Sequence, residues 1–283
     1  MIRNTFAALL ALAMLAGSAM GEQIQAQFLG AYGNWVSITS AAKGSQNAYL
    51  GPYEFKLTEL AAFPSSNYYT VKQLLKFQTQ QSKATVLTFC FDLYQTISKN
   101  NIYTYNIATG DELIGLPAPT PRSYDIDSKK LNMLAYLWDK AYDAGAYSYA
   151  ATDAGHAFSL AIWETLYEYQ TLEGLGAPSN PSFNVANGSG FKVTNWQSLA
   201  GSSNAITTLA NGWLTQAYNS PMAQDIGWLV ALYNDDNQDQ TTIFGLPEFK
   251  PVPEPTFAIQ LLGLCVAGAL PLRYWRRGRK GAA

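Results

Sequence analysis

Histidine is almost absent from this 283-residue chain, where His156 stands alone. One imidazole excludes metal centres built from several histidines and leaves a single side chain for general-base work near neutral pH. Cysteine is nearly as scarce. Cys90 lies in the body of the chain and Cys265 inside an apolar run near its end, so the sequence carries no disulfide framework. Charged residues make up only 13% of the chain and form no basic stripe between the two ends that could follow a phosphate backbone, so no nucleic-acid partner is expected. Internal repeats and heptad runs are also missing, which excludes a solenoid or a long coiled coil.

Apolar runs are confined to the two ends. Arg3 precedes Phe6 to Leu15, and the small residues Ala16, Gly17, Ser18, Ala19 and Gly21 follow. That order reads as a signal peptide, residues 1–21, removed by signal peptidase near residues 19 to 21. At the other end Val252, Pro253, Glu254 and Pro255 lead into the uncharged run Thr256 to Leu272, and Arg273, Arg276, Arg277, Arg279 and Lys280 crowd the tail. The prolines fix φ and lack a donor, so this tetrapeptide is extended and accessible. As a helix the 17-residue run reaches about 25 Å, barely enough for a hydrocarbon core of roughly 30 Å. The basic cluster favours staying on the cytoplasmic side, which places the chain before Pro253 outside it.

This sequence of parts resembles the PEP-CTERM sorting signal of Gram-negative bacteria, with Pro253, Glu254 and Pro255 as its motif. The alternative is an ordinary single-pass tail anchor. The resemblance implies an exosortase, a membrane protease that cuts near the motif and releases or transfers the exported domain, usually in bacteria that make exopolysaccharide. The expected organisation is a signal peptide over 1–21, an exported domain over 22–250, and a sorting segment over 251–283. That segment divides into the motif at 253–255, a transmembrane helix at 256–272 and a basic tail at 273–283. The protein would be anchored transiently in the inner membrane and then reach the cell surface or the extracellular matrix.

Two consequences follow for the exported part. With Arg3, the five basic tail residues and Glu254 set aside, residues 22–250 hold 12 Lys and Arg against 19 Asp and Glu, a net charge of −7. Cys265 would be removed with the sorting segment, leaving Cys90 without a partner for an intramolecular disulfide. Stability must then come from the core, for which roughly 230 residues provide enough material.

Along the exported part the hydrophobic period changes twice. Gln27 to Thr39, Ala48 to Leu57, Ala84 to Leu93 and Ile102 to Ile107 read as strands, while Lys72 to Gln80 is ambiguous. Near Asp127 the period becomes helical, with Leu131, Leu134, Trp138 and Ala141 on one face and Asp127 or Ser128 as the cap. A second helix is expected from Thr152 or Asp153 to about Tyr169, presenting Phe158, Ile162 and Leu166, and a third from Ser203 to about Ala217. Glu173 to Gly190 reads as a surface loop. Ile226 to Tyr233 and Thr241 to Leu246 return to strand character around a polar turn at Asn234 to Gln240. The pattern predicts an α+β domain, an antiparallel sheet or barrel-like part with an inserted helical subdomain.

Phe89, Cys90, Phe91, Asp92 and Leu93, followed by Tyr103, form one short stretch of note, and Ala157 to Glu164, containing Ser159, Ala161, Ile162 and Trp163, form another. They resemble the two signature stretches of bacterial thioester domains and bring residues 48 to 170 under that likeness. In that family a strand-borne Cys and a Gln form an internal thioester that traps a surface nucleophile. The position that should be Gln is Ser159, which has no acyl group, so Cys90 and Ser159 form a degenerate pair. Gln95 lies five residues after the cysteine, and Gln170 about 16 Å along a helix from Ser159. Cys90, flanked by Phe89 and Phe91, reads as a small buried hydrophobe, and Trp163 as helix packing.

Enzymatic readings are thin. Asp153, His156 and Ser159 recur at helical spacing, yet neighbours on one helix rarely converge on a substrate, and no Gly-x-Ser-x-Gly elbow surrounds any serine. The carboxylate pairs Asp125 with Asp127 and Glu164 with Glu168 read as solvated or capping. Asp235, Asn237 and Asp239 begin like a calcium loop, but Gln240 and Leu246 stand where Gly and Glu are required. Neither a metal nor a cofactor is expected.

Aromatic residues are abundant on the strands and adjoining loops: Tyr32, Trp35, Tyr49 and Tyr53, then Tyr68, Tyr69, Tyr103, Tyr105, Tyr147 and Tyr149. They could stack on sugars, cover a protein partner or fill the core. The expected function is non-enzymatic: a surface or matrix protein, associated with biofilm or exopolysaccharide, that binds or scaffolds. The alternatives are a covalent thioester adhesin using another Gln and a secreted hydrolase built around His156.

Overall fold

A computed structural model describes residues 23–40, 44–59, 74–76, 78–79, 83–93, 96–114, 126–168, 183–188, 191–196, 199, 203–220, 229–234 and 239–243. The chain divides into two units, Met1–Phe244 and Gly245–Ala283, and every described residue belongs to the first. The signal-peptide segment, Pro253 to Pro255, the run Thr256 to Leu272 and the basic tail lie outside the described residues. Among the described residues no helix is long and apolar enough to cross a membrane.

The element order is β1 (Gln23–Ala31), β2 (Asn34–Ser40), β3 (Gly44–Leu50), β4 (Tyr53–Glu59), β5 (Val86–Cys90), β6 (Ile102–Thr109), α1 (Ser128–Asp143), α2 (Asp153–Trp163), β7 (Phe191–Asn195), α3 (Ser203–Asn219), β8 (Leu229–Tyr233) and β9 (Gln240–Ile243). Six strands close into a barrel in the order β1, β4, β5, β9, β8, β6, and β3, β2 and β7 form a separate sheet. All described pairings are antiparallel. The fold is therefore α+β with a closed six-stranded barrel.

Strand alternation explains the barrel. Ile24, Ala26 and Phe28 are buried between half-exposed neighbours, as period-2 patterning requires when one face points inward. They stand opposite Leu57 and Phe55 on one side and Tyr105 on the other. Contacts of Phe28 with Phe55 at 5.4 Å and of Phe55 with Tyr105 at 6.3 Å join three strands through their inner faces. Phe89 alternates to the outer face of β5, where α1 and α2 cover it. Its ring lies 5.5 Å from Trp138 and 4.7 Å from Phe158, and those two are 4.7 Å apart. Edge-on geometry of this kind adds about 0.5–1.5 kcal/mol per pair beyond area burial.

The helices begin where the sequence places them. Asp127 accepts from Lys130 N at 2.7 Å and Thr152 from Gly155 N at 2.9 Å, each satisfying a free donor of the first turn. Helix α2 is buried from Ala154 through Trp163, the signature of a helix enclosed on all sides. It continues as one π-turn over Glu164–Glu168.

Two expected strands are each broken in two. Gln27 to Thr39 divides at Tyr32 and Gly33, and Ala48 to Leu57 divides at Gly51 and Pro52. The breaks lie against each other. Tyr32 N donates to Pro52 O at 2.8 Å, a Cβ on Gly33 would sit 1.6 Å from the Leu50 carbonyl oxygen, and Gly51 has φ +119°. Glycine is needed at both positions, one for close approach and one for its backbone conformation. The break lets β1 and β4 stay in the barrel while β2 and β3 leave it. Strand β7, following the loop expected at Glu173 to Gly190, is absent from the sequence reading. It pairs with β2.

Candidate functional site

The two thioester-signature positions are both buried and bind different partners. The Cys90 thiol donates to Asp92 O at 2.9 Å, and Trp163 Nε1 donates to Cys90 O at 3.0 Å. Burial pushes the thiol well above its ordinary range, reinforced by the charges of Asp92 and Asp239. The Ser159 hydroxyl accepts from Gly51 N at 2.9 Å and donates to Gly155 O at 3.2 Å. Serine at this position therefore ties α2 to the β3–β4 break. The cross-strand partner of Cys90 is Gln240, whose Oε1 accepts from Thr88 Oγ1 at 2.8 Å. Gln95 and Gln170 lie outside the described residues.

The π-turn after α2 brings Tyr167 to the same corner, where its hydroxyl accepts from Leu93 N at 3.0 Å. Glu164 is not a solvated carboxylate as its sequence setting suggests. It is 1% exposed, and its Oε1 accepts from Asn184 N at 3.2 Å. The reason is that α2 is enclosed on all sides, so its last residues remain inside. Asp239, also buried, closes the β8–β9 turn by accepting from Asn234 N at 2.9 Å. Among the described residues no cluster of His, Cys, Asp and Glu could hold a metal ion.

His156 is 3% exposed, and its Nε2 lies 3.4 Å from Asn34 Nδ2. Its Nδ1 is buried without a hydrogen-bond partner among the described residues. Desolvation lowers its pKa, opposed in part by the charge of Asp153. The neutral ring is favoured in the fold, so stability should fall as pH drops below the unfolded value of about 6.5, because only the unfolded chain readily takes the proton. The decline should level off below the depressed folded value. Urea unfolding between pH 8 and pH 5 should show this slope and should lose that part of it in His156→Gln. An unchanged slope would contradict the assignment.

Aromatic rings converge elsewhere. A cleft of about 490 Å³ opens between the barrel and the three-stranded sheet, lined by Phe28 to Tyr32, Trp35, Gln46 to Tyr49, Tyr53 and Glu54, with Leu93, Thr96, Ile97, Lys99 and Trp163 completing it. That volume falls within the range of roughly 300–1,000 Å³ typical of small-molecule sites. A bulge between Phe28 and Gly30 bends β1 at the cleft. Backbone bonds from Phe28 N to Asn101 O at 3.0 Å and from Asn100 N to Phe28 O at 2.7 Å pin the β5–β6 connection beside it.

The rings are held by their own polar atoms. Tyr49 Oη donates to Gly33 O at 2.7 Å and accepts from Gly33 N at 3.0 Å. Trp35 stands edge-on to Tyr49 at 5.2 Å and 86°, and Tyr53 lies 6.1 Å from Tyr49. Trp35 itself is 61% exposed. Glu54 accepts from Tyr32 Oη and Thr85 Oγ1, and Lys83 Nζ donates to Tyr32 Oη at 2.9 Å. Burial and the neighbouring Glu54 raise the Tyr32 pKa, so its phenol stays protonated.

Four of the aromatics singled out from sequence, Tyr32, Trp35, Tyr49 and Tyr53, thus meet at one site. Tyr105 fills the barrel, Tyr147 is tied to Leu87 N, and Tyr68 and Tyr69 lie outside the described residues. Gln46, Asn47 and Lys99 were not visible as site residues. The segment Gly44 to Asn47 has turn-like composition, and only its pairing with β2 makes it a strand. No protein-family model matches the chain, and no curated protein does. Among solved structures the chain is similar to the N-terminal thioester domain of fibronectin-binding protein SfbI from Streptococcus pyogenes, at 13% identity and a TM-score of 0.37, covering 77% of this chain and all of that one. At that level the likeness assigns no function.

Proposed function

We propose that this chain is an exported surface or matrix-associated protein that binds its partner non-covalently through the aromatic cleft and carries out no reaction of its own. The observation that carries the reading is the cleft: rings fixed by internal hydrogen bonds, with Trp35 left largely exposed at its wall. The termini supply the route. Signal peptidase would act near residues 19 to 21. An exosortase would then act at Pro253 to Pro255 while the segment from Thr256 and its basic tail hold the chain in the inner membrane. An exopolysaccharide or a surface protein of the same cells is the partner class. The hydrolase reading loses support because His156 is buried and absent from the cleft lining.

Fractionation of exporting cells tests both halves. The full-length protein should be found cut and retained with surface material. Trp35→Ala should be cut normally but should appear mainly in the medium, and deletion of Pro253 to Pro255 should leave uncut protein in the inner membrane. Wild-type retention of Trp35→Ala would overturn the cleft reading, and normal release of the deletion variant would overturn the sorting assignment.

One observation favours a second reading, the covalent adhesin. Cys90 and Gln240 are direct cross-strand partners, and opposed residues of this kind place their Cβ atoms about 4.5–5.5 Å apart. Attack of the Cys90 sulfur on the Gln240 carboxamide carbon, with loss of ammonia, would give a thioester. The raised thiol pKa and the Thr88 bond to Gln240 work against it, since the nucleophile is the thiolate.

A further inference from the structure

We infer that the cleft takes a neutral saccharide, with the Trp35 indole as its stacking platform and the carboxamides of Asn47 and Gln46 as its hydroxyl-reading groups. The inference rests on the binding reading above and specifies its ligand. A pyranose presents a face of C–H bonds and a rim of hydroxyl groups. Its complement is an exposed ring face beside groups that can both donate and accept.

The cleft provides both. Trp35 is 61% exposed and is braced edge-on by Tyr49, whose hydroxyl is locked to the Gly33 backbone. A platform already fixed in place loses little conformational entropy on binding. Asn47 Oδ1 takes the Ser37 hydroxyl at 2.9 Å, and among the described residues its Nδ2 has no hydrogen-bond partner. Gln46 Nε2 donates to Leu93 O at 2.6 Å, and its Oε1 is likewise without one. One donor and one acceptor group are thereby left for a ligand.

Charge selects within saccharides. Both Glu54 oxygens are occupied by Tyr32 and Thr85, and Lys83 sits 4.8 Å from the Tyr32 ring centroid, next to that carboxylate cluster. Lys99 alone adds a further cation to the lining. A polyanion would gain little there and would be repelled by an exported part whose net charge is −7. A peptide adding to the edge of β3 is the competing occupant. The proteolysis arm of the test below separates that occupant from a saccharide.

The probe is the extracellular matrix of the exporting cells, used untreated, after periodate oxidation, which cleaves vicinal diols, or after exhaustive proteolysis. The protein as released by those cells is the binder. Binding should survive proteolysis, disappear after periodate, and be undiminished by excess polygalacturonate. Trp35→Ala should weaken it by about tenfold or more and Trp35→Phe by less, as expected of an exposed aromatic anchor. Asn47→Ala should weaken it about threefold or more, with unfolding curves like wild type in all three. Binding that resists periodate but is lost on proteolysis would overturn the saccharide and leave the cleft reading standing. Competition by polygalacturonate would overturn the neutral class. Undiminished binding by Trp35→Ala would remove the cleft reading itself.

Discussion

Gly33→Ala is expected to prevent the barrel domain from folding, or to destabilise it by more than about 4 kcal/mol, the range reserved for gross steric or core defects. The added Cβ would lie 1.6 Å from the Leu50 carbonyl oxygen and 2.7 Å from its carbon, both backbone atoms. No side-chain rotation can relieve that overlap, and the strands that would have to move are the ones that separate the barrel from the three-stranded sheet. Tyr49 would lose both of its bonds to Gly33, and the cleft would lose the ring that braces Trp35. Gly30→Ala is the control, since a Cβ there meets nothing within 4 Å, and it should shift stability by no more than about 1 kcal/mol. Thermal or urea unfolding of the two variants decides the matter. A cooperative, wild-type-like transition for Gly33→Ala would sink the account of the mated strand breaks.

The second large effect is expected at Trp163. Truncation to alanine should cost about 3–5 kcal/mol from lost packing. Leaving the Cys90 carbonyl without its indole donor at 3.0 Å should add about 1–3 kcal/mol. The ring is 1% exposed, packs at 6.0 Å against Phe191 of β7, and also lines the cleft. It therefore joins α2, the barrel and the outer sheet at one point. Trp163→Phe keeps most of the volume and removes the donor, so its loss should approximate the hydrogen-bond part alone. Equal stability of the alanine and phenylalanine variants in urea would show that packing at this residue is not what holds α2 to β5.

Much of the fold was legible because burial imprints its period on the chain. Leu131, Leu134, Trp138 and Ala141 mark the face that α1 buries, and Asp127 and Thr152 cap the two helices as their side-chain chemistry predicts. Closure of the barrel was not legible. It depends on β9 meeting β5 and on β6 meeting both β1 and β8, and pairing over such separations leaves no local signal. The two strand breaks were hidden for a related reason. Gly33 and Gly51 each look tolerable within a strand, and only their mutual approach makes both obligatory. The same holds for the cleft: Tyr32, Trp35, Tyr49 and Tyr53 were noticed as rings, but their convergence is a product of those breaks. That serine lacks an acyl group is a matter of its chemistry alone, while the bond of Ser159 to Gly51 belongs to the folded state.

The non-covalent account makes its most exposed claim at Cys90, and the intact mass of the protein recovered from its own exporting cells addresses that claim directly. Compared with the sequence from Glu22 onward, the account predicts a species ending near Pro253 with every carboxamide present and a thiol that becomes alkylatable only on unfolding. A mass lower by one ammonia, which rises by the full mass of added hydroxylamine or methylamine as the Cys90 thiol is freed, would contradict it and place a Cys90 thioester at the centre of the function.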